Sequence, residues 1–312
     1  MSDHKTGPGL IDPGLIAPAI MLLCLGGLWG LSFSLSKVAA MGGVHPFAYA
    51  WMQSTGAALF LTLVCYRKGI PFELSRGHLL FFAGAAVIGL VLPNINIITT
   101  AKYIPAGVMS TVVSTVPVLG YVLAVGLRIE GFRWNSAIGI GLGLVGALLM
   151  VLPKTSLPSP DMVPWVLLAF LTPALYACSG IFSDRMRPEG THSLAAARGM
   201  LIVASLATLP LMLAVDGFYP LMADPGPTDF AMLGQICISS VAYILYFERL
   251  KRAGATNLML VPLLVPVSAI LLGVTFLGES LAPSHFAGMG LIAVGLLAID
   301  GRLFRSRRVK QV

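Results

Sequence analysis

Charge is scarce in this sequence: Asp, Glu, Lys and Arg together make up 11% of its 312 residues, against about 25% in an ordinary soluble domain. So few charges cannot cover a water-facing surface, which excludes the pair of soluble domains that the length alone would suit. Cysteine is as thin. Cys24, Cys65, Cys178 and Cys237 never form a C-x-x-C pair, so they read as small apolar packing residues rather than a redox or metal motif. Five histidines (His4, His45, His78, His192, His285) fall in the termini or at segment ends, and H-E-x-x-H, G-x-S-x-G and Walker A patterns are missing. That leaves an enzyme reading without its usual supports. Gly141, Gly143 and Gly146 do spell G-x-G-x-x-G. They lie inside an apolar run with no strand before them, and with the overlapping Gly139/Gly143 pair they read as a close helix-packing face. No cofactor and no metal is expected.

What the chain has in quantity is apolar residues, 57% of the total. A membrane-crossing helix needs roughly 20 of them in a row. Ten such segments are present, at 16–39, 46–66, 79–101, 106–127, 134–152, 163–182, 194–215, 230–247, 256–277 and 285–299. The runs are continuous rather than alternating, which excludes a transmembrane β-barrel. The first run is too long, and residues 1–15 too poor in basic residues, for a signal peptide.

Ten helices put both termini on one side. If that side is the cytoplasm, 17 of the 20 Lys and Arg residues fall in inner segments and only Lys37, Lys102 and Lys154 in outer ones. This is the positive-inside bias, and it predicts cytoplasmic termini. The basic stretch 302–310 then reads as a solvated anchor beside anionic lipid and not as a nucleic-acid site.

The last third of the chain repeats an earlier third. At an offset of 149, Ala106 matches Ala255, Pro117 matches Pro266, Glu130 matches Glu279, Gly139 matches Gly288 and Gly146 matches Gly295. Trp29, Ser32 and Ser36 match Tyr176, Ser179 and Ser183 at an offset of 147. Each half holds five helices, an odd number, so the halves must cross the bilayer in opposite directions as an inverted repeat. The predicted division is a cytoplasmic tail at 1–15, a first repeat at 16–152, a Pro/Ser-rich linker at 153–162, a second repeat at 163–300 and a basic cytoplasmic tail at 301–312.

The pattern resembles the two-repeat, EamA-type branch of the drug/metabolite transporter superfamily. The resemblance covers about 20–299 and is carried by 28–33 (LWGLSF) and by the two helix–Glu–helix copies. The second copy reads Gly254, Ala255, Pro262, Pro266, then 277–281 (LGESL), and the first reads LRIEG at 127–131. Gln53 stands where such families often carry arginine, whereas Arg198 is kept. The resemblance implies an all-α integral membrane protein, ten transmembrane helices in two inverted five-helix repeats around a central cavity, that moves small organic solutes.

Polar residues run in stripes along several segments. Ser110, Ser114, Pro117 and Tyr121 form one. Thr172, Tyr176, Ser179 and Ser183 form a second, and Gln235, Ser239, Tyr243 and Tyr246 a third. All are spaced by three or four residues, which puts each set on one helix face. Polar groups avoid lipid, so these faces point into the bundle or into water. The expected substrate cavity therefore comprises Trp29, Ser32, Asn94, Asn96, Ser114, Tyr121, Tyr176, Ser179, Gln235, Ser239 and Tyr243. Helix–helix hydrogen bonding is the competing role for each. Pro93, Pro117, Pro262 and Pro266 are expected hinges or kinks. Glu130 and Glu279 each precede a helix start, as dipole partners or gates. Lys37, Lys102 and Arg198 are possible anion contacts or snorkelling cations.

No acidic residue falls near the middle of any segment, where proton carriers usually sit. The expectation is an inner-membrane exporter or facilitator of amino acids or related amphipathic metabolites, working by alternating access. Its partners would be a small-molecule substrate and the lipid bilayer, with no nucleic acid, as a monomer or weak homo-oligomer. The alternative is a non-transporting membrane sensor or membrane-embedded enzyme.

Overall fold

The computed structural model of the chain describes residues 13–151, 159–258, 261–280 and 282–299. The predicted C-terminal tail, residues 1–12 of the predicted N-terminal tail and most of the predicted linker lie outside the described residues, while residues 13–15 open the first helix. Ten helical segments follow in order: α1 (Pro13–Met41), α2 (Pro46–Arg67), α3 (Arg76–Ala101), α4 (Ala106–Gly126), α5 (Trp134–Val151), α6 (Pro160–Met186), α7 (Ser193–Ala214), α8 (Pro227–Leu258), α9 (Val261–Leu277) and α10 (Pro283–Ile299). Among the described residues there is no strand. Seven segments are long and apolar enough to cross a membrane, and α5, α9 and α10 hold shorter apolar helices over their described residues. Together they make the ten-helix architecture that the hydropathy predicts.

Proline decides where helices start and where they break. α2 begins with Pro46 in its first turn, where a missing N–H costs nothing. His45 accepts a hydrogen bond there from Phe47 N at 3.2 Å, and His192 accepts one from Leu194 N at 3.2 Å at the start of α7. These two caps are repeat mates. In α3 the run Val87–Val91 widens to a π turn, with Leu92 N bonding back to Val87 O, just ahead of Pro93. The wider turn accommodates the donor that proline lacks. α4 is interrupted at Ser114 and Thr115, ahead of Pro117. α6 is interrupted at Phe170, ahead of Pro173. Pro266 lies inside an unbroken α9. The predicted boundary between the eighth and ninth segments moves: 256–258 closes α8 rather than opening α9, because Pro262 sets the next helix start.

The packing follows the repeat. α1 packs on α9 as α6 packs on α4, α1 on α8 as α6 on α3, and α2 on α8 as α7 on α3. The pairs α2–α7, α4–α9 and α5–α10 are their own mates. The α5–α10 contact shows the symmetry atom by atom. A Cβ added to Gly146 would stand 2.6 Å from Gly288 O, and one added to Gly295 would stand 2.5 Å from Gly139 O. Each contact is the other's repeat mate, so the local two-fold axis runs between these helices. The symmetry is not complete among the described residues, and α1 and α6 differ most plainly. α1 also packs against α3 and α4, whereas α6 makes no comparable contact with α8 or α9 among the described residues.

Candidate functional site

Beside α6 the polar stripes of several helices meet. On the α1–α2–α8 side, Gln235 of α8 lies against Ser32 of α1. The serine Oγ donates to Oε1 at 3.0 Å and accepts from Nε2 at 2.7 Å. Gln53 Nε2 of α2 donates to Ser239 Oγ at 2.7 Å, and Gln235 Nε2 also lies 3.5 Å from that hydroxyl. Ser36 Oγ and Tyr49 OH are 2.6 Å apart. One hydrogen-bonded belt thus crosses three helices, and Gln53 Oε1 is buried in it with no partner. Buried amides are costly unless bonded, which explains why these six side chains find one another.

On the opposite side, Asn96 of α3 reaches α6. Its Nδ2 donates to Thr172 Oγ1 at 2.8 Å and to Leu168 O at 3.0 Å, beside the α6 break. Asn94, the residue after Pro93, is buried with its amide unbonded among the described residues. Tyr176 on α6 is half-buried, and its phenol is near enough to those of Tyr49 and Tyr243 to interact with both. Trp29 and Tyr246 face each other with ring centroids 5.7 Å apart. Ser179 is half-buried where α6 crosses Gly89 of the π turn. The groups that meet here are aromatic faces, hydroxyls and amides, and no Asp, Glu, Lys or Arg takes part in the contacts just described.

Two predicted lining residues lie elsewhere. Tyr121 OH accepts from Arg133 N at 2.9 Å and donates to Gly131 O at 3.4 Å, so it braces the α4–α5 turn. Ser114 Oγ bonds back to Ser110 O and Thr111 O of its own helix, repairing the α4 break. Gln53, Tyr49 and Thr172 join the site without having been on the predicted lining. Gln53 carried a signal, a lone amide in an apolar helix.

The charged candidates separate into three cases. Lys37 Nζ lies 3.2 Å from Glu279 Oε1 and donates to Ile104 O at 3.0 Å. The same carboxylate accepts from Ala106 N at 2.7 Å and Gly107 N at 3.5 Å. Glu279 therefore meets the amide end of α4, not of α10, whose start it precedes. Glu130 is half-exposed and pairs with Arg133 at 3.5 Å inside its own turn. Lys102 is exposed, over the ring of Tyr103, which stacks on Trp165. Arg198, expected at a helix end facing solvent or lipid heads, is 6% exposed. Its Nη2 donates to Pro71 O at 2.8 Å and its guanidinium lies 4.4 Å from the Phe72 ring centroid. A nearby cavity of about 180 Å³, lined by Glu73, His78, Thr191 and His192 among others, sits under the α2–α3 and α6–α7 turns. Among the described residues, no three His, Cys, Asp or Glu side chains gather as a metal set.

The comparisons agree with this architecture. The chain is 26% identical over 301 residues to the uncharacterized inner membrane transporter YedA of Escherichia coli K12, covering 90% of each. It is 24% identical over 301 residues to an S-adenosylmethionine/S-adenosylhomocysteine transporter of Chlamydia trachomatis serovar L2, covering 92% of this chain and 90% of that one. It is 25% identical over 233 residues to Protein PecM of Dickeya dadantii, covering 74% and 76%. A solved crystal structure of a protein shares the fold at a TM-score of 0.64 and 17% identity, over 93% of this chain and 99% of the other. The EamA-like transporter family matches twice, at residues 17–152 and at 163–299, and the chain belongs to that family of membrane transporters.

Proposed function

We propose that the cleft between α6 and α8–α9 is the substrate site of an alternating-access transporter for small amphipathic organic solutes, amino acids and related metabolites first among them. The observation that carries this reading is the local loss of symmetry. α1 packs on α3 and α4, α6 makes no comparable contact with α8 or α9 among the described residues, and Trp29, Tyr49, Gln53, Asn94, Tyr176, Gln235, Ser239 and Tyr243 gather around that difference. Aromatic faces suit an apolar moiety and can hold a cation, while the amides and hydroxyls supply donors and acceptors for a polar head. A multiply charged phosphate would need several basic groups there. We place the chain in the cell (inner) membrane with both termini cytoplasmic, from the basic-residue bias. The repeats at 16–152 and 163–300 would rock around the breaks near Pro93 and Pro117 and the prolines of α9, Pro262 and Pro266. Downhill transport or exchange without an obligatory proton gradient follows from the helix centres, which lack carboxylates.

The test is uptake and counterflow in proteoliposomes, screening amino acids and amphipathic drugs at equal pH on both sides with the membrane potential collapsed. Saturable exchange of a neutral or zwitterionic solute, lost in Tyr176→Ala and Tyr243→Ala proteins that still fold, supports the site. Uphill accumulation that requires an imposed pH gradient and disappears in Glu130→Gln or Glu279→Gln would refute the uncoupled mechanism.

A further inference from the structure

We propose that Lys37 and Glu279 form a latch that holds the bundle shut at one end, and that Asp184 denies the other end its equivalent. The resting protein then opens at the Glu130 end. This inference rests on the alternating-access reading above.

The Glu279 side chain is 5% exposed and that of Lys37 15% exposed. One carboxylate ties together four pieces of chain. They are the end of α1 through Lys37, the α3–α4 turn through the Lys37–Ile104 bond, the start of α4 through Ala106 N and Gly107 N, and the α9–α10 turn that carries Glu279 itself. Three of the pieces belong to the first repeat and one to the second. The contacts are charge-assisted, and the carboxylate faces the positive end of the α4 dipole. Buried as it is, the pair is little screened by salt, and losing either partner strands a charge.

The repeat defines what should stand at the opposite end. Glu279 maps onto Glu130 and Ala106 onto Ala255 at the 149 offset. Lys37 maps onto Asp184 at the 147 offset that relates Trp29 to Tyr176. Where one end has lysine against glutamate, the other has aspartate against glutamate. The geometry follows. The Glu130 side chain is 50% exposed, and its ion pair is with Arg133, three residues along its own turn. Asp184 is exposed. Arg187, close by, is spent on Thr191 O and Ser193 Oγ. Among the described residues no hydrogen bond or ion pair ties the end of α6 to the α4–α5 turn. A transporter with one good latch has a biased resting population.

The experiment reads access to the cleft. All four cysteines are replaced and one is introduced by Tyr176→Cys. Met41→Cys at the Lys37 end and Phe132→Cys at the Glu130 end, both exposed, mark the two faces in separate proteins. Membrane vesicles of each orientation are treated with a membrane-impermeant maleimide. Tyr176→Cys should label from the Phe132 face and only slowly from the Met41 face. Lys37→Gln and Glu279→Gln should each raise the Met41-face rate roughly tenfold, within the usual range of conformational coupling, while Lys37→Arg should keep it slow. Asp184→Lys, a change on an exposed residue, should lower the Phe132-face rate several-fold by giving Glu130 a cation. Unchanged rates in Lys37→Gln and Glu279→Gln, or in Asp184→Lys if the first two do not fold, overturn the latch. Labelling of Tyr176→Cys from neither face in the otherwise unaltered protein removes the cleft itself, and the latch with it.

Discussion

The α5–α10 contact gives the sharpest stability prediction, because the same substitution can be made where space is closed and where it is open. At Gly146 an added Cβ meets Gly288 O at 2.6 Å and Ile292 N at 3.1 Å. At Gly295 it meets Gly139 O at 2.5 Å and Gly143 N at 3.0 Å. All four atoms are backbone, so neither clash is relieved by a rotamer change and the helices must separate. Overpacking of this kind costs about 1–3 kcal/mol, and close backbone approach is what drives helix association in lipid. At Gly141 and its repeat mate Gly290, nothing lies within 4 Å of the added atom, and alanine is the better helix former.

Gly146→Ala and Gly295→Ala should therefore each lower the apparent Tm in detergent by several degrees, at about 2–4 °C per kcal/mol for a chain near this size. Gly141→Ala and Gly290→Ala should not lower it. The double substitution Gly146→Ala/Gly295→Ala should cost less than the sum of its parts, since one separation relieves both clashes. Thermal scans followed by size-exclusion recovery measure this. Equal losses at all four positions, or no loss at Gly146 and Gly295, would refute the packing argument and with it the placement of the two-fold axis.

Three further outcomes follow. Gln235→Leu removes the bonds to Ser32 and Ser239 and should cost about 1 kcal/mol of stability, since interhelical bonds in membranes average about 0.6 kcal/mol; if the belt also binds solute, uptake falls by more than the thermal shift predicts, and normal uptake would make the belt purely structural. Asn96→Leu unpairs Thr172 and the Leu168 carbonyl at the α6 break, so detergent thermal stability should fall more than for Asn94→Leu, whose amide has no partner to strand. Tyr219, in the α7–α8 turn, donates to Asp229 Oδ2 at 3.2 Å, and burial followed by that carboxylate holds its pKa above the ordinary value. A raised folded pKa stabilises fully below about pH 10 and is lost as pH climbs past it, so Tyr219→Phe should be less stable than the unaltered protein at neutral pH and converge with it in strong alkali, by circular dichroism melts at each pH.

Much of the architecture is written locally. Long apolar runs give the helices, paired glycines give the α5–α10 face, and Pro93 and Pro117 each coincide with a break. The site is less legible, for reasons visible at single residues. The stripe of Ser110, Ser114 and Tyr121 assumes one uninterrupted helix. The break at Ser114 and Thr115 resets the phase, and Tyr121 turns to the α4–α5 turn instead. Glu279 precedes α10 in sequence, yet its partners lie 173 and 172 residues away at the start of α4. No local pattern encodes that contact, since it depends on which turns the bundle brings to the same end. Arg198 looks like an interfacial cation by position, but the aromatic Phe72 and the Pro71 carbonyl make a buried seat for it.

The two halves fold alike where the residue types match and part company where they do not. His45 and His192 cap equivalent helices, and Gly139 and Gly146 face Gly288 and Gly295 across the axis. The contrast lies in α1 and α6. At the 147 offset Gly26 of α1 corresponds to Pro173 of α6. Glycine at 26 lets α9 approach until Ser268 Oγ donates to Gly26 O at 2.9 Å, and α1 runs on without interruption. Proline at 173 instead breaks α6, and Leu168 O beside the break accepts from Asn96. Lys37 and Asp184 add a second mismatch eleven residues further along each helix. Both differences fall on the same pair of equivalent helices, in which α1 packs on α3 and α4 while α6 makes no comparable contact with α8 or α9 among the described residues. Glycine against proline and lysine against aspartate are thus two points where the sequence of α6 departs from that of α1 in step with its packing.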